Sequence, residues 1–352
     1  MSRVAVVGAG IIGCAIAREL AIRGVGCTAI DPRPVAGGAT QASAGMLAPY
    51  VEAHERGPML DLGLRSLDLY PSWISGLRNE GFAVEYEQIG TLEIALIPER
   101  AAALRHGVMG GWLEPADVAR AYPQLCATSG AFTNEEHGYV DAPQLARALA
   151  ASAERHGAQF RRARVERISA GAAGPRLRID GDDTEADTVI LAAGAWTNQI
   201  EGIRTPPLRP VRGQLLRVRW NLWPIPTILW GPDCYVVPRH DGTLLVGATV
   251  EDAGFDERTT EEGVNGLLAA ARRLLPRLPA DALLEARVGL RPATPDELPV
   301  LGTDPEIPGL VHASGHYRNG VLLAPITGKL IADLVVEQRA DECLENFRPD
   351  RF

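Results

Sequence analysis

At 352 residues the chain is about twice the length of a typical domain, which suits one large discontinuous unit or two domains with ample core. Its net charge of −9, with no basic block, argues against nucleic acid or an anionic membrane as a main partner and leaves small acidic or zwitterionic ligands open. Five scattered cysteines without CxxC spacing and seven histidines without HxxxH or HExxH spacing suggest no metal site and no disulfide framework, so a reducing cytoplasm is expected. No run approaches the ~18 apolar residues of a membrane-spanning helix, and the opening "MSRVAVVGAGIIG" has no signal-peptide pattern.

The β-branched run Val4 to Val7 predicts a strand, "IIGCAIARELAIRG" an apolar-periodic helix closed by Gly24, and "VGCTAID" a second strand ending at Asp31. This βαβ unit carries G-x-G-x-x-G at Gly8, Gly10 and Gly13. Gly8 suits the tight turn, Gly10 a close approach of backbone to a diphosphate, and Gly13 close helix-to-strand packing. The unpaired N–H groups of the helix start face the diphosphate, and Asp31, about 20 residues on, can accept from a ribose hydroxyl. The fingerprint alone serves NAD and FAD equally. "GGATQASAGMLAP", residues 37–49, is then a small-sided loop whose Thr40 and Ser43 hydroxyls and bare backbone can come close to a flat ring system.

Residues 59–80 show amphipathic helical spacing, with a break expected near Pro71. "VEYEQIGTLEIALI" alternates as half-buried strands do. "DAPQLARALAASAERHGAQF" predicts a helix capped by Asp141, with Pro143 in its first turn and Gly157 closing it, and "RRARVERISA" predicts a strand returning to the α/β layer. The uninterrupted apolar run Val189 to Ala192, ending in Ala193-Gly194, suits a buried parallel strand with small residues at its carboxyl end. Between Val211 and Val250 short turn-punctuated segments predict an antiparallel sheet, followed by a helix at about Thr260 to Leu275. The last motif, "GHYRNGVLLAPITGKLIADL", puts Arg318 before Asn319-Gly320 and an apolar helix expected to begin near Val321.

The N-terminal fingerprint, the 37–49 loop, "GLRPATPDELPVLG" and "GHYRNGVLLAPITGKLIADL" together resemble the D-amino-acid oxidase superfamily of FAD enzymes, and within it the glycine oxidases. The similarity runs in order from residue 3 to about residue 350. It implies an α/β fold: a Rossmann-like FAD-binding domain of the GR2/DAO type with a second, α+β substrate domain built on an antiparallel sheet. The expected FAD-binding domain is discontinuous, at 1–82, 140–207 and 288–352, with the substrate domain at 83–139 and 208–287.

The same resemblance implies which residues touch FAD. They are Gly8, Gly10, Ile11, Ile12 and Gly13 in the fingerprint; Asp31, Pro32 and Arg33 after the second strand; and Ala39, Thr40, Ser43, Ala44, Gly45 and Met46 in the loop. Val165, Ala193, Gly194 and Trp196 follow, and the C-terminal set is His316, Arg318, Asn319, Gly320, Val321 and Leu322. Covalent attachment is not expected, since Gly289 stands where sarcosine-oxidase-like relatives carry a cysteine.

For a substrate carboxylate, a planar guanidinium in a nearly dry pocket offers a bidentate fork. Arg291, ending an apolar strand before a proline, matches the family's carboxylate-binding arginine, and Tyr235 its hydrogen-bonding tyrosine; Arg318 stands at the mouth. Met46, Trp230 and Val250 are expected in the apolar wall. The implied reaction is hydride transfer from the substrate Cα to flavin N5, with dioxygen as the oxidant and glycine, sarcosine or small D-amino acids as substrates. The alternatives are a dehydrogenase of the same family passing electrons to a quinone or carrier, a non-catalytic FAD-binding subunit, and a nicotinamide dehydrogenase. The family also implies a homotetramer and a setting in supply of the thiazole ring of thiamine.

Overall fold

The computed structural model describes residues 3–52, 56–105, 110–172, 174–222 and 224–352. A six-stranded sheet carries the fingerprint, in the order Val300–Thr303, Leu310–Ser314, Thr188–Leu191, Val4–Val7, Cys27–Asp31 and Gln159–Arg162. All neighbours are parallel except Val300–Thr303, which runs antiparallel to Leu310–Ser314. Val4–Val7 and Thr188–Leu191 lie at its centre, which is why their sequences are continuously apolar instead of alternating.

One face is covered by the helix Ile11–Ile22, packed between the helices Ala142–Arg155 and Ala324–Val336. The first helix carries two buried charges, which fasten the layer sideways. Arg18 donates from Nε to Ser152 Oγ at 3.0 Å and from Nη2 to Glu80 Oε1 at 3.1 Å, and Glu19 accepts from Trp73 Nε1 at 3.1 Å. Asp141 caps the Ala142–Arg155 helix by accepting from Gln144 N at 2.7 Å, and Gly157, at φ +100°, ends it as expected.

An eight-stranded sheet forms the second layer, in the order Leu283–Ala293, Arg209–Arg219, Thr243–Gly247, Tyr235–Pro238, Ile228–Trp230, Thr91–Ala95, Gly130–Asn134 and Gly111–Leu113. It is antiparallel apart from one parallel pair, Ile228–Trp230 with Thr91–Ala95. The period of two sorts its residues: Leu216, Val218, Leu244 and Val246 pack against the helix Glu261–Leu274, while Leu215, Val237 and Leu245 pack with Ala44 and Tyr139. The edge strand Leu283–Ala293 lies against the single turn Ala39–Ala42 of the small-residue loop, so the two sheets meet at that loop.

Three expectations are corrected. Pro58–Asn79 is one unbroken helix through Pro71. Pro71 lies on its exposed side, where water can take the carbonyl left unpaired, while Tyr70 and Ser66 on the buried side donate to the carbonyls of Val321 and Leu322 at 2.5 and 2.6 Å. "RRARVERISA" divides: Gln159–Arg162 completes the parallel sheet, whereas Val165–Ala170 turns away into a separate antiparallel sheet with Pro175–Ile179 and Asp182–Glu185. The C-terminal helix begins at Ala324, later than Val321, because residues 320–323 form turns.

Candidate functional site

A single cavity of about 660 Å³ runs from the carboxyl ends of the parallel strands to the face of the eight-stranded sheet. One end is lined by Asp31, Pro32, Arg33, Val165 and Trp196, the middle by the fingerprint and the small-residue loop, and the other end by Arg291, Tyr235 and Arg318.

In the fingerprint the fit is backbone on backbone. A Cβ on Gly13 would stand 2.0 Å from Gly8 O, and one on Gly8, which has φ +114°, would stand 2.3 Å from Ala192 O. Gly13 is therefore demanded by the crossing of the first helix over the first strand, and Gly8 by its left-handed φ and the close pass of the chain leaving the neighbouring strand Thr188–Leu191. Thr40 Oγ1 accepts from Ile11 N at 3.0 Å, leaving Ile12 and Gly13 as first-turn N–H groups with no intrahelical acceptor, beside the cavity that Gly10 and Ile12 line. Asp31 holds the turn together, accepting from Ala9 N and Arg33 N, each at 2.8 Å. Arg33 lies 4.0 Å over the Trp196 ring and is gripped from the other side by both carboxylate oxygens of Glu257.

The C-terminal motif closes the cavity's middle. Asn319 is buried, lines the cavity, and its Oδ1 has no hydrogen-bond partner in the protein. A buried carbonyl oxygen without a donor is costly, on the order of 1–3 kcal/mol, and an N–H of a ligand in the cavity would satisfy this one. Together with the first-turn amides beside a glycine-walled channel, that unmet acceptor is what a dinucleotide with a hydrogen-bonding ring system requires, so the residues present fit FAD. His316 is sealed beside Asn319, with Nε2 at 3.1 Å from Thr327 Oγ1, and burial pushes its pKa down to about 3. It is neutral at ordinary pH, so the positive potential on this side comes from backbone amides and Arg318. Arg318 is exposed, its guanidinium 5.8 Å from the Trp230 ring, which stacks on Tyr235 at 5.7 Å.

Arg291 and Tyr235 reach the same end from opposite flanks. Arg291 leaves the edge strand and lays its guanidinium over Gly213 of the next strand: a Cβ there would be 2.3 Å from Nη2. Tyr235 likewise lays its ring over Gly247, where a Cβ would be 2.3 Å from the phenol oxygen. Two bare positions on adjacent strands thus let a cation and a phenol lean toward each other across the sheet. Arg291 Nη1 donates to Thr249 O at 3.0 Å and, at 3.5 Å, to Arg212 O, which orients the fork. Among the described residues lining this end there is no carboxylate; those of the cavity, Asp31, Glu166 and Glu201, belong to the far end.

The remaining expected residues divide. Ile11, Ala39, Ser43, Ala44, Gly45, Met46, Ala193, Gly194, Gly320 and Val321 line the cavity. Leu322 does not, because its side chain is in the core behind and its carbonyl is taken by Ser66. Trp230 supports Tyr235 from outside the lining. Val250 is turned to solvent, 59% exposed: Thr249 and Glu251 on either side of it are bound to Gln214 and Arg212, so alternation sends Val250 outward. Gly213 and Gly247 were not found by sequence reasoning, since nothing local marks either. Among the described residues no cluster could hold a metal ion, and no helix is long and apolar enough to cross a membrane. Cys14, Cys27 and Cys234 are buried with raised pKa values, Cys27 and Cys234 to about 12, so none is a poised thiolate.

Comparison with known proteins agrees with this geometry. Residues 3–334 match the family model of the FAD dependent oxidoreductases, DAO. The bifunctional protein ThiO/ThiG of Trichormus variabilis is 38% identical over 366 residues, covering 99% of this chain and 55% of that protein, so the chain spans about half the length of that relative. Glycine oxidase of Geobacillus kaustophilus is 36% identical, with 94% of this chain and 92% of that one covered. A crystal structure of glycine oxidase from the same organism superposes with a TM-score of 0.94 at 34% identity, covering both chains completely.

Proposed function

The chain belongs to the DAO family of FAD-dependent oxidoreductases, and on that premise we propose that it oxidises glycine and other small amines or amino acids, such as sarcosine and small D-amino acids. The products are an imine that hydrolyses to glyoxylate and ammonia, and hydrogen peroxide from dioxygen. The observation that carries this reading is the convergence of Arg291 and Tyr235 at the end of the cavity opposite the fingerprint.

Bound along the fingerprint, the small-residue loop and Asn319, FAD supplies the acceptor for a hydride from the substrate Cα. The protein's own part is binding and electrostatics. Arg291 pairs with the substrate carboxylate, and the Tyr235 hydroxyl donates a second hydrogen bond. The amine must arrive neutral. His316, with its depressed pKa, is too weak a base to take its proton, and the described lining at this end offers no carboxylate for that task. The cofactor is held without a covalent bond: Gly289 has no nucleophile, and a Cβ there would stand 3.1 Å from Ala39 Cα and from Ala42 Cβ, so the loop occupies the space of any larger side chain. A homotetrameric cytoplasmic enzyme feeding a glycine-derived imine into thiazole synthesis is the setting this reading favours.

The test is a peroxide assay across glycine, sarcosine, D-alanine and D-proline on the yellow, purified protein, with an artificial electron acceptor in a parallel anaerobic arm. Turnover with glycine in air supports the proposal. Colourless protein that binds no added FAD sinks it, and turnover in the anaerobic arm alone replaces the oxidase by a dehydrogenase.

A further inference from the structure

Behind Arg291 lies a polar network that touches neither the cavity nor any expected cofactor contact. Gln214, fully buried on the Arg209–Arg219 strand, donates from its backbone N to Thr249 Oγ1 at 2.8 Å and from Nε2 to Glu251 Oε1 at 2.8 Å. Thr249 Oγ1 in turn donates to Glu251 Oε1, and the other oxygen, Oε2, accepts from Arg212 Nε at 3.0 Å and Nη2 at 2.5 Å. The backbones are laced in the same place, with Arg212 and Glu251 exchanging N–H···O bonds, each 2.9 Å. Gln214 also joins Thr260, the cap of the helix behind, through Nε2 to Thr260 Oγ1 and Thr260 N to Oε1. Gly263 leaves the space for that amide, since a Cβ there would be 2.1 Å from Gln214 Nε2.

The Glu251 carboxylate is the hub. Its burial would raise its pKa, but the hydrogen bonds from Thr249, Gln214 and Arg212 outweigh that and hold it below the usual carboxylate value, so it is charged at neutral pH. Two main-chain oxygens that this hub fixes reach Arg291 Nη1: the Thr249 carbonyl, which accepts from it at 3.0 Å, and more weakly the Arg212 carbonyl, at 3.5 Å. A guanidinium presents its fork correctly only when its own plane is fixed, and here that plane is set by a main-chain oxygen whose residue is clamped by Glu251.

We propose that Glu251, acting through Thr249, is a positioning residue for the carboxylate-binding Arg291. The inference rests on the reading of Arg291 as the substrate clamp. Glu251 does not touch substrate; its role is to hold the acceptor that sets the angle of the arginine.

The experiment compares Glu251→Ala, Thr249→Val, Thr249→Ser and Arg291→Ala, measuring kcat and KM for glycine, the Kd of a simple carboxylate such as acetate from perturbation of the flavin spectrum, the Kd for FAD, and Tm. Glu251→Ala and Thr249→Val raise the glycine KM and the acetate Kd together, by about tenfold, the loss of one hydrogen bond to a charged group. In both, kcat and FAD affinity stay within about twofold, and Thr249→Ser, which keeps the hydroxyl, behaves as the wild type. A fall in Tm with unchanged KM and acetate affinity makes the network merely structural and overturns the inference, as does a Thr249→Ser variant as impaired as Thr249→Val. If Arg291→Ala itself leaves KM and acetate binding unchanged, it is the reading of the clamp that fails. If only Arg291→Ala raises them, the clamp stands and the Glu251 role falls.

Discussion

The two ends of the cavity are built by different means. At the fingerprint end, contiguous sequence does the work: Gly8, Gly10 and Gly13 sit within six residues, and the constraint on Gly8 and Gly13 is contact with backbone a few residues away or just past the adjacent strand. At the other end Arg291 and Tyr235 come from strands separated by the two that run between them, and each is admitted by a glycine on its neighbour, Gly213 or Gly247. Backbone cannot move out of the way of a new side chain, whereas the tip of an arginine can. Substitutions at the first end should therefore remove the cofactor, and those at the second should leave it bound and impair the substrate.

The largest expected effect is at Gly13. Gly13→Ala places a Cβ 2.0 Å from Gly8 O, an overlap with no flexible partner, and forcing the helix off the strand costs roughly 1–3 kcal/mol or more. The purified variant should carry little flavin by its absorbance ratio; stoichiometric flavin would show that the crossing is not what demands this glycine. Next is Arg291→Ala, which on the proposed reading removes the partner of the substrate carboxylate. A loss of about 2–5 kcal/mol corresponds to roughly 30-fold to several-thousand-fold in kcat/KM for glycine, with flavin content unchanged. Gly213→Ala comes third. The three atoms nearest its Cβ all belong to the movable guanidinium, so the fold should hold while the fork is displaced, and a displacement near 1 Å can lower kcat/KM by up to about a hundredfold. If Gly213→Ala lost flavin as readily as Gly13→Ala, the division between the ends would fail.

This contrast also explains what the sequence disclosed. The fingerprint, the Asp141 cap, the Gly157 stop and the buried run at Val189 to Leu191 were legible because their causes lie within a few residues. Arg291 and Tyr235 were legible only through resemblance to a family. Gly213, Gly247, Gln214 and Glu251 were not, because their roles depend on register between strands: Val211 opposite Arg291, Tyr235 opposite Gly247, Arg212 opposite Glu251. Val250 was misread for the same reason, since its side follows from the pairing of its neighbours. Pro71 misled because a proline's effect depends on which side of a helix it occupies, and burial of the opposite side is a tertiary fact.

A further effect is on stability as pH falls. Burial lowers the pKa of His316, beside the cofactor channel, and of His137, against Thr91, to about 3 each. The unfolded chain takes up these protons near pH 6.5 while the folded chain does not, so the stabilisation is complete above about pH 6.5 and is lost as pH falls toward 3. By pH 5 each histidine should account for about 2 kcal/mol of lost stability. Urea unfolding of His316→Gln at pH 5 and 7 should show a shallower pH dependence than the parent; an unchanged slope would mean His316 titrates normally.

The smallest expected effect is at the bridge between the two sheets. Glu257, on the segment leading away from the eight-stranded sheet, grips Arg33 through two bonds of 2.7 and 2.8 Å, and Arg33 lies against Trp196 at the rim of the cofactor channel. Both partners are about one-third exposed, so the pair is worth roughly 0.2–1 kcal/mol, and Glu257→Ala should weaken FAD binding by at most about fivefold. Screening decides whether charge is the cause: near 1 M salt, where the Debye length is about 3 Å, the variant and the parent should converge. A Glu257→Ala variant that kept its FAD affinity but raised the glycine KM would mean the strap orients the substrate sheet, and the two ends would then be coupled through this contact across the rim.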